Sequence, residues 1–139
     1  MGAKSKKSEK DRPERQIDKK RMRHYILDGD WNVVVGKTDA DNDFISLRFC
    51  HGRDYWFHVD NLPGSHVLLL FKEDEEPSRS TLEQAAAIAA WHSKGRKASR
   101  IGVTMTMASD VGKRKGAPAG QVTVKGGKIL KVKPECPEA

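Results

Sequence analysis

Polar and apolar residues alternate in several short runs of this chain, and each run marks a strand, because successive side chains of extended backbone point to opposite faces. In residues 55–60 the period of two puts Tyr55, Phe57 and Val59 on one face and Trp56, His58 and Asp60 on the other. Asn61-Leu62-Pro63-Gly64 reads as a type II turn in which Gly64 takes the positive φ, with close approach of a ligand as the functional alternative for that glycine. Residues 65–71 run apolar, as a strand covered on both faces does, and belong at the centre of a sheet. Upstream, Tyr25-Ile26-Leu27 and residues 31–35 flank Asp28-Gly29-Asp30 as a hairpin. Residues 37–43 form a polar loop, and residues 44–49 alternate as a further strand. Downstream, residues 100–107 turn Ile101, Val103, Met105 and Met107 inward, and residues 121–124 and 129–132 close a hairpin about Lys125-Gly126-Gly127-Lys128.

One segment departs from the period of two. Residues 82–92 (LEQAAAIAAWH) are rich in the best helix former, Ser80 and Glu83 are spaced as a capping box, and Lys94, Arg96 and Lys97 follow beside Gly95, which suits a C-cap. So many alanines imply a helix lying close on its neighbour. The pattern predicts an α+β fold: a largely antiparallel β-sheet with one alanine-rich helix packed on it. Residues 1–23 are a disordered basic arm, since charge dominates and little apolar surface is available to offset chain entropy. The domain is expected over residues 24–134, and residues 135–139 form a C-terminal tail.

Charge sharpens this picture. The 139 residues carry a formal net charge of +7, distributed as +6 over residues 1–24, −7 over residues 25–90 and +8 over residues 91–139. An acidic partner is implied, with nucleic acid, anionic lipid and the ribosome as candidates, and it meets the basic ends. No run reaches the roughly 20 apolar residues of a membrane-spanning helix, and the N-terminus lacks the apolar core of a secretory signal. With Cys50 and Cys136 as two isolated cysteines, a cytoplasmic location is expected.

Lys113, Arg114 and Lys115, between Gly112 and Gly116, are candidate phosphate contacts, because glycines let the backbone approach an anion while cations displace counterions. Arg96, Lys97 and Arg100 add to that charge. Trp56 and His58 on one strand face offer a base-stacking platform, against which stands plain core packing of Trp56. His58 and His66 either bond the Pro63-Gly64 turn or meet phosphate. Cys50, His51, Asp54, His58, Ser65 and His66 match no zinc-ligand spacing, and Asp54, Ser65 and a histidine lack a nucleophile elbow, so neither metal, cofactor nor enzymatic activity is expected.

Asp54-x-Trp56-Phe57-His58-Val59 followed by Pro63-Gly64-Ser65-His66-Val67 resembles the signature of the NFACT-R domain. Asp28-Gly29, Val35-Gly36, Asn42-Asp43, the alanine helix ending in Ser93, Lys113-x-Lys115-Gly116-Ala117 and Gly120-x-Val122 follow the family's order, and the resemblance covers residues 24–134. Arg114, and the proline placement in Ala117-Pro118-Ala119-Gly120, depart from the usual pattern. The resemblance implies an RNA-binding module, with tRNA or rRNA on the large ribosomal subunit as partner, in translation or ribosome-associated quality control. The chain is too short for the family's large N-terminal domain, helix-hairpin-helix segment and coiled coil, so tRNA recruitment and tailing are not expected of it alone. A protein-interaction adaptor using the acidic central block and a DNA-binding protein are the alternatives.

Overall fold

The structure, a computed structural model, describes residues 15–137. Its centre is a six-stranded antiparallel sheet ordered β1-β2-β4-β3-β5-β8, built from β1 (Met22–Leu27), β2 (Trp31–Gly36), β3 (Tyr55–Val59), β4 (Val67–Leu69), β5 (Ile101–Met107) and β8 (Lys128–Val132). A small ladder of β6 (Val111–Gly112) and β7 (Thr123–Val124) stands apart. The β1–β2 hairpin turns where expected, with Gly29 at φ 83° and Asp30 at φ 62°. β4 lies between β2 and β3, as its unbroken apolar run requires, and Val67, Leu68 and Leu69 are all fully buried.

Both faces of this sheet are covered. Helix α2 (Arg79–Trp91) lies on the face that presents Val33, Val35, Phe57, Val67, Leu69 and Val103, and its residues 85–90 are all buried there. Five alanines among those six positions let the helix backbone sit close to the β-branched side chains. On the opposite face, Met22, Val34, Trp56 and Leu68 pack with Ile45, Phe49 and Ala108. Residue period two thus divides the strands between two cores, each full burial of a Leu or Val side chain contributing about 1.5–3 kcal/mol.

The structure corrects several expectations. Residues 39–49 are neither loop nor strand: Thr38 Oγ1 accepts from the Asp41 amide at 3.1 Å and starts helix α1 (Asp39–Phe44), which runs on as a π-helical turn at Ile45–Phe49. Ile45 and Phe49 alternate with polar residues, yet they are also four apart and share a helical face, so the pattern satisfied both periods. Helix α2 is capped by Ser78, whose Oγ accepts from the Thr81 amide at 3.1 Å, which leaves Ser80 inside the first turn and Glu83 paired with Arg79 at 3.0 Å. It ends at Trp91 with His92 as C-cap, and Gly95 is instead a contact glycine, where a Cβ would collide with the Ile101 side chain.

Gly64 does not carry the positive φ of the β3–β4 turn; Asn61 does, at 60°. The reason for glycine is steric, since a Cβ there would lie 2.8 Å from Ser93 Cβ and 3.0 Å from Val59 Cγ1. The closing hairpin also fails to form as expected. β7 pairs with β6 and β8 with β5, because Gly126 at φ 61° and Gly127 at φ 103° redirect the chain, and Gly127 lies against the Met105 carbonyl.

Of the arm expected over residues 1–23, residues 1–14 lie outside the described residues. From Arg15 onward the chain is packed on the domain: Ile17 joins the second core, Met22 is fully buried, and Arg21 pairs with Asp41 at 3.1 Å. Residue 135 is likewise not yet tail, as its amide donates to the Ala87 carbonyl at 3.2 Å. Among the described residues, no helix is long and apolar enough to cross a membrane.

Candidate nucleic-acid interface

The signature begins with a buried anchor. Asp54 is 0% exposed and receives a bidentate pair from Arg15, at 2.7 and 3.1 Å, plus the amides of His51 at 2.8 Å and Phe71 at 2.9 Å. Four donors on one carboxylate tie the N-terminal segment, the 50–53 loop and the end of β4 to the start of β3. With this occupancy Asp54 holds the frame of the domain and faces no ligand.

Trp56 and His66 are each 3% exposed, so neither offers a ring face for base stacking. Trp56 Nε1 donates to Ser46 Oγ at 2.8 Å, Ser46 Oγ meets His66 Nδ1 at 2.8 Å, and His66 Nε2 meets the Gly120 carbonyl at 3.2 Å. The consistent assignment has the Ser46 hydroxyl donating to Nδ1 and the Nε2 hydrogen donating to Gly120. This relay joins β3, the π-helical turn, β4 and the 113–120 loop through a neutral imidazole. Sequence reading missed Ser46, because its partners are 10 and 20 residues away and no motif links them. His58 is half-buried, with its ring stacked on Trp56 at 6.0 Å and edge-on to His66 at 5.5 Å.

Burial, and then the neighbouring His58, push the His66 pKa down to about 4, and burial with Arg23 and Arg96 nearby does the same for His92. Both folded values lie below the ordinary 6.5, so the unfolded chain binds more protons between those limits. Stability from these groups is therefore full above pH 6.5 and is lost as pH falls toward 4, at roughly 1.4 kcal/mol per pH unit from His66 alone. Urea unfolding midpoints measured across that window are expected to fall with acidification, and Ser46→Ala, which removes the hydroxyl between Trp56 and His66, is expected to lower the whole curve.

Within the basic loop, only part of the expected charge faces outward. Lys113 Nζ donates to the carbonyls of Pro118 at 2.6 Å and Gln121 at 2.8 Å and pairs with Asp43 at 3.2 Å. The Gly120 amide is taken by Asp43 at 3.1 Å. Lys113 thus braces the loop, while Arg114 and Lys115 are exposed and pair with no carboxylate among the described residues. Lys97 is exposed beyond α2, and Arg100 donates to the Lys131 carbonyl at 3.0 Å.

A second cationic feature was not legible in the sequence. The β3–β4 turn is fastened to the end of α2: the Ser65 amide donates to the His92 carbonyl and the Lys94 amide to the Pro63 carbonyl, each at 2.9 Å. Beside this seam runs an open groove of about 400 Å³ lined by Pro63, Gly64, Ser65 and Trp91 together with Arg23, Lys37, Lys94 and Arg96. Arg96 stacks its guanidinium over Trp91 at 4.3 Å, and Lys37 donates to the Lys19 carbonyl at 2.6 Å. None of the four cations pairs with a carboxylate among the described residues, and Asp39 is the one acid in the lining. The C-terminal pole of α2 carries a partial negative charge of about one half, which four formal positive charges outweigh. Arg96 was a sequence candidate; Arg23, Lys37 and Lys94 were not, because β-pairing and the helix end bring them together from distant positions.

The remaining candidates stay apart. Asp54, His58 and Ser65 do not form a triad, since Asp54 is held by Arg15 and two amides while His66 bonds Ser46. Among the described residues, no three His, Cys, Asp or Glu side chains are grouped to hold a metal ion.

An antiparallel sheet with the alanine-rich helix on one face, and a cation-lined groove where that helix meets a Pro-Gly turn, defines an α+β domain with an anion-facing surface. The chain belongs to the NFACT-R family: the family's model, described as the NFACT protein RNA binding domain, matches residues 21–126. It is 34% identical over 112 residues to the Rqc2 homolog RqcH of Streptococcus suis, covering 81% of this chain and 20% of that protein. It is 36% identical over 91 residues to RqcH of Bacillus subtilis, covering 66% and 15%. Coiled-coil domain-containing protein 25 of Mus musculus is 26% identical over 96 residues, with 66% of this chain and 46% of that protein covered. Among solved structures, the C-terminal part of the fibronectin/fibrinogen-binding protein from Streptococcus suis superposes with a TM-score of 0.78 at 28% identity, covering 96% of this chain and 56% of that one. The chain thus spans about a fifth of the length of the RqcH proteins it matches.

Proposed function

We propose that this chain is a cytoplasmic, non-enzymatic RNA-binding module that contacts structured RNA, tRNA or rRNA, in ribosome-associated quality control. The observation that carries this reading is the convergence of Arg23, Lys37, Lys94 and Arg96 on the groove beside Pro63-Gly64-Ser65, the signature turn of the family. Phosphates laid along that groove release counterions, while the Trp91–Arg96 stack provides a flat, cationic wall. Arg114 and Lys115 extend the charged surface outside the groove. Membership in the NFACT-R family and similarity to RqcH proteins support RNA as the polyanion and the ribosome as its setting.

Binding of a labelled tRNA and of rRNA fragments across a salt series tests this reading. With at least four phosphate contacts, log K is expected to fall against log salt with a slope of about −3 or steeper, and duplex DNA of equal length is expected to compete poorly. A flat salt plot would favour the adaptor alternative, and equal competition by duplex DNA would favour the DNA-binding one.

A further inference from the structure

A second cleft, of about 450 Å³, opens on the face of the sheet opposite α2. Its lining contains no lysine or arginine, in contrast to the groove, although the same β3–β4 connection borders both. Asp60, Asn61 and His66 of that connection line the cleft, whereas Pro63, Gly64 and Ser65 line the groove. The half-buried His58 ring, backed by the Trp56 indole at an interplanar angle of 17°, supplies an aromatic surface, and Val122 and Val124 supply an apolar wall. Burial holds both histidines toward the neutral form, so the cleft has no positive charge to attract a phosphate and carries one carboxylate that repels it. A neutral, planar, hydrogen-bonding group is what this lining accepts.

The carboxylate selects among such groups. Asp60 Oδ2 accepts from Asn61 Nδ2 at 3.3 Å, and among the described residues its Oδ1 has no side-chain partner. An ionised carboxylate only accepts hydrogen bonds, and guanine presents two adjacent N–H donors on its Watson–Crick edge where adenine and uracil present at most one donor beside an acceptor. We infer that this cleft takes a single unpaired guanine of the RNA, stacked against His58 and held by Asp60, while the phosphates on the other side of the turn lie in the cationic groove. The inference rests on the RNA-binding reading above and adds to it a base specificity that the groove does not have.

The test compares short oligouridylates carrying one central guanosine, adenosine, cytidine or uridine, bound to the full chain at one salt concentration. The guanosine oligomer is expected to bind about tenfold or more tightly than the other three, within the range of a bidentate base contact. Asp60→Asn, whose amide offers a donor where only acceptors suit guanine, is expected to abolish that preference without weakening oligouridylate binding, because it also removes the carboxylate that repels phosphate. On the unmodified protein, guanosine monophosphate is expected to shift the His58 ring resonances and adenosine monophosphate is not, a readout independent of the variant's folding. Equal affinity for all four oligomers, or unchanged His58 resonances, would overturn the guanine site while leaving RNA binding in place. Absence of binding to every RNA would overturn the reading of the groove as well.

Discussion

Replacing Arg23, Lys37, Lys94 and Arg96 together by alanine is expected to weaken RNA binding by more than about a hundredfold at low salt and to flatten the salt dependence by about three to four units of slope. Each cation that meets a phosphate releases condensed counterion, so removing four subtracts four increments that are nearly independent of RNA sequence. All four side chains belong to exposed residues, and none forms an ion pair with a carboxylate among the described residues. The structural losses are the Lys37 bond to the Lys19 carbonyl and the Arg96 stack on Trp91, the latter worth about 0.5–1 kcal/mol at an exposed site. Far-UV circular dichroism and the melting temperature should therefore stay close to those of the unmodified chain. Anisotropy titrations at several salt concentrations check the expectation; an unchanged slope would show that phosphates bind elsewhere, with Arg114 and Lys115 the next surface to remove.

Asp54→Ala is expected to destabilise the domain by about 3–5 kcal/mol, the range for breaking a buried, hydrogen-bonded ion pair. Truncation leaves the amides of His51 and Phe71 without their acceptor and the Arg15 guanidinium with only the Phe49 carbonyl at 3.1 Å, around a site where the carboxylate is 0% exposed. Unpaired buried donors lose their interaction with water and gain nothing in return. For a domain of this size the melting temperature should drop on the order of 10–20 °C, and Arg15→Ala should fall in the same direction because it strands the buried carboxylate. Urea unfolding measures the change directly. A loss below about 1 kcal/mol would mean that Asp54 is not the tie between the N-terminal segment and β3. Because Asp54 lines neither the groove nor the cleft, whatever fraction of the variant remains folded should bind RNA with normal affinity.

The central strands were legible in the sequence because a two-residue period has a direct physical meaning. Tyr55, Phe57 and Val59 against Trp56, His58 and Asp60 is the division the sheet makes, with Phe57 in one core and Trp56 in the other. The alanine helix was legible for an equally local reason, its composition. Residues 39–49 were not, since Ile45 and Phe49 satisfy both strand and helix spacing and the deciding group is the Thr38 cap. Nor was the course of residues 121–132, where two apolar runs about Gly126-Gly127 look like a hairpin but each finds a different partner.

The site shows the same division more sharply. Lys113 looked like the centre of a phosphate-binding loop and is held inside it by Pro118, Gln121 and Asp43; His66 looked like a contact residue and is bonded between Ser46 and Gly120. By itself the sequence determined the α+β class, the strand faces, the helix, the family signature and the excess of positive charge at the chain's ends, since each depends on residues close together in the chain. Tertiary structure alone decided which cations share a surface. Arg23 sits on an outer strand, Lys37 follows its neighbour, and Lys94 and Arg96 follow α2; they meet because β1 pairs with β2 and because Gly64, having no Cβ, lets the β3–β4 turn press against Ser93. Charge is additive along a chain, but an electrostatic field depends on distance in space, and those distances exist only once the sheet has paired and the helix has docked.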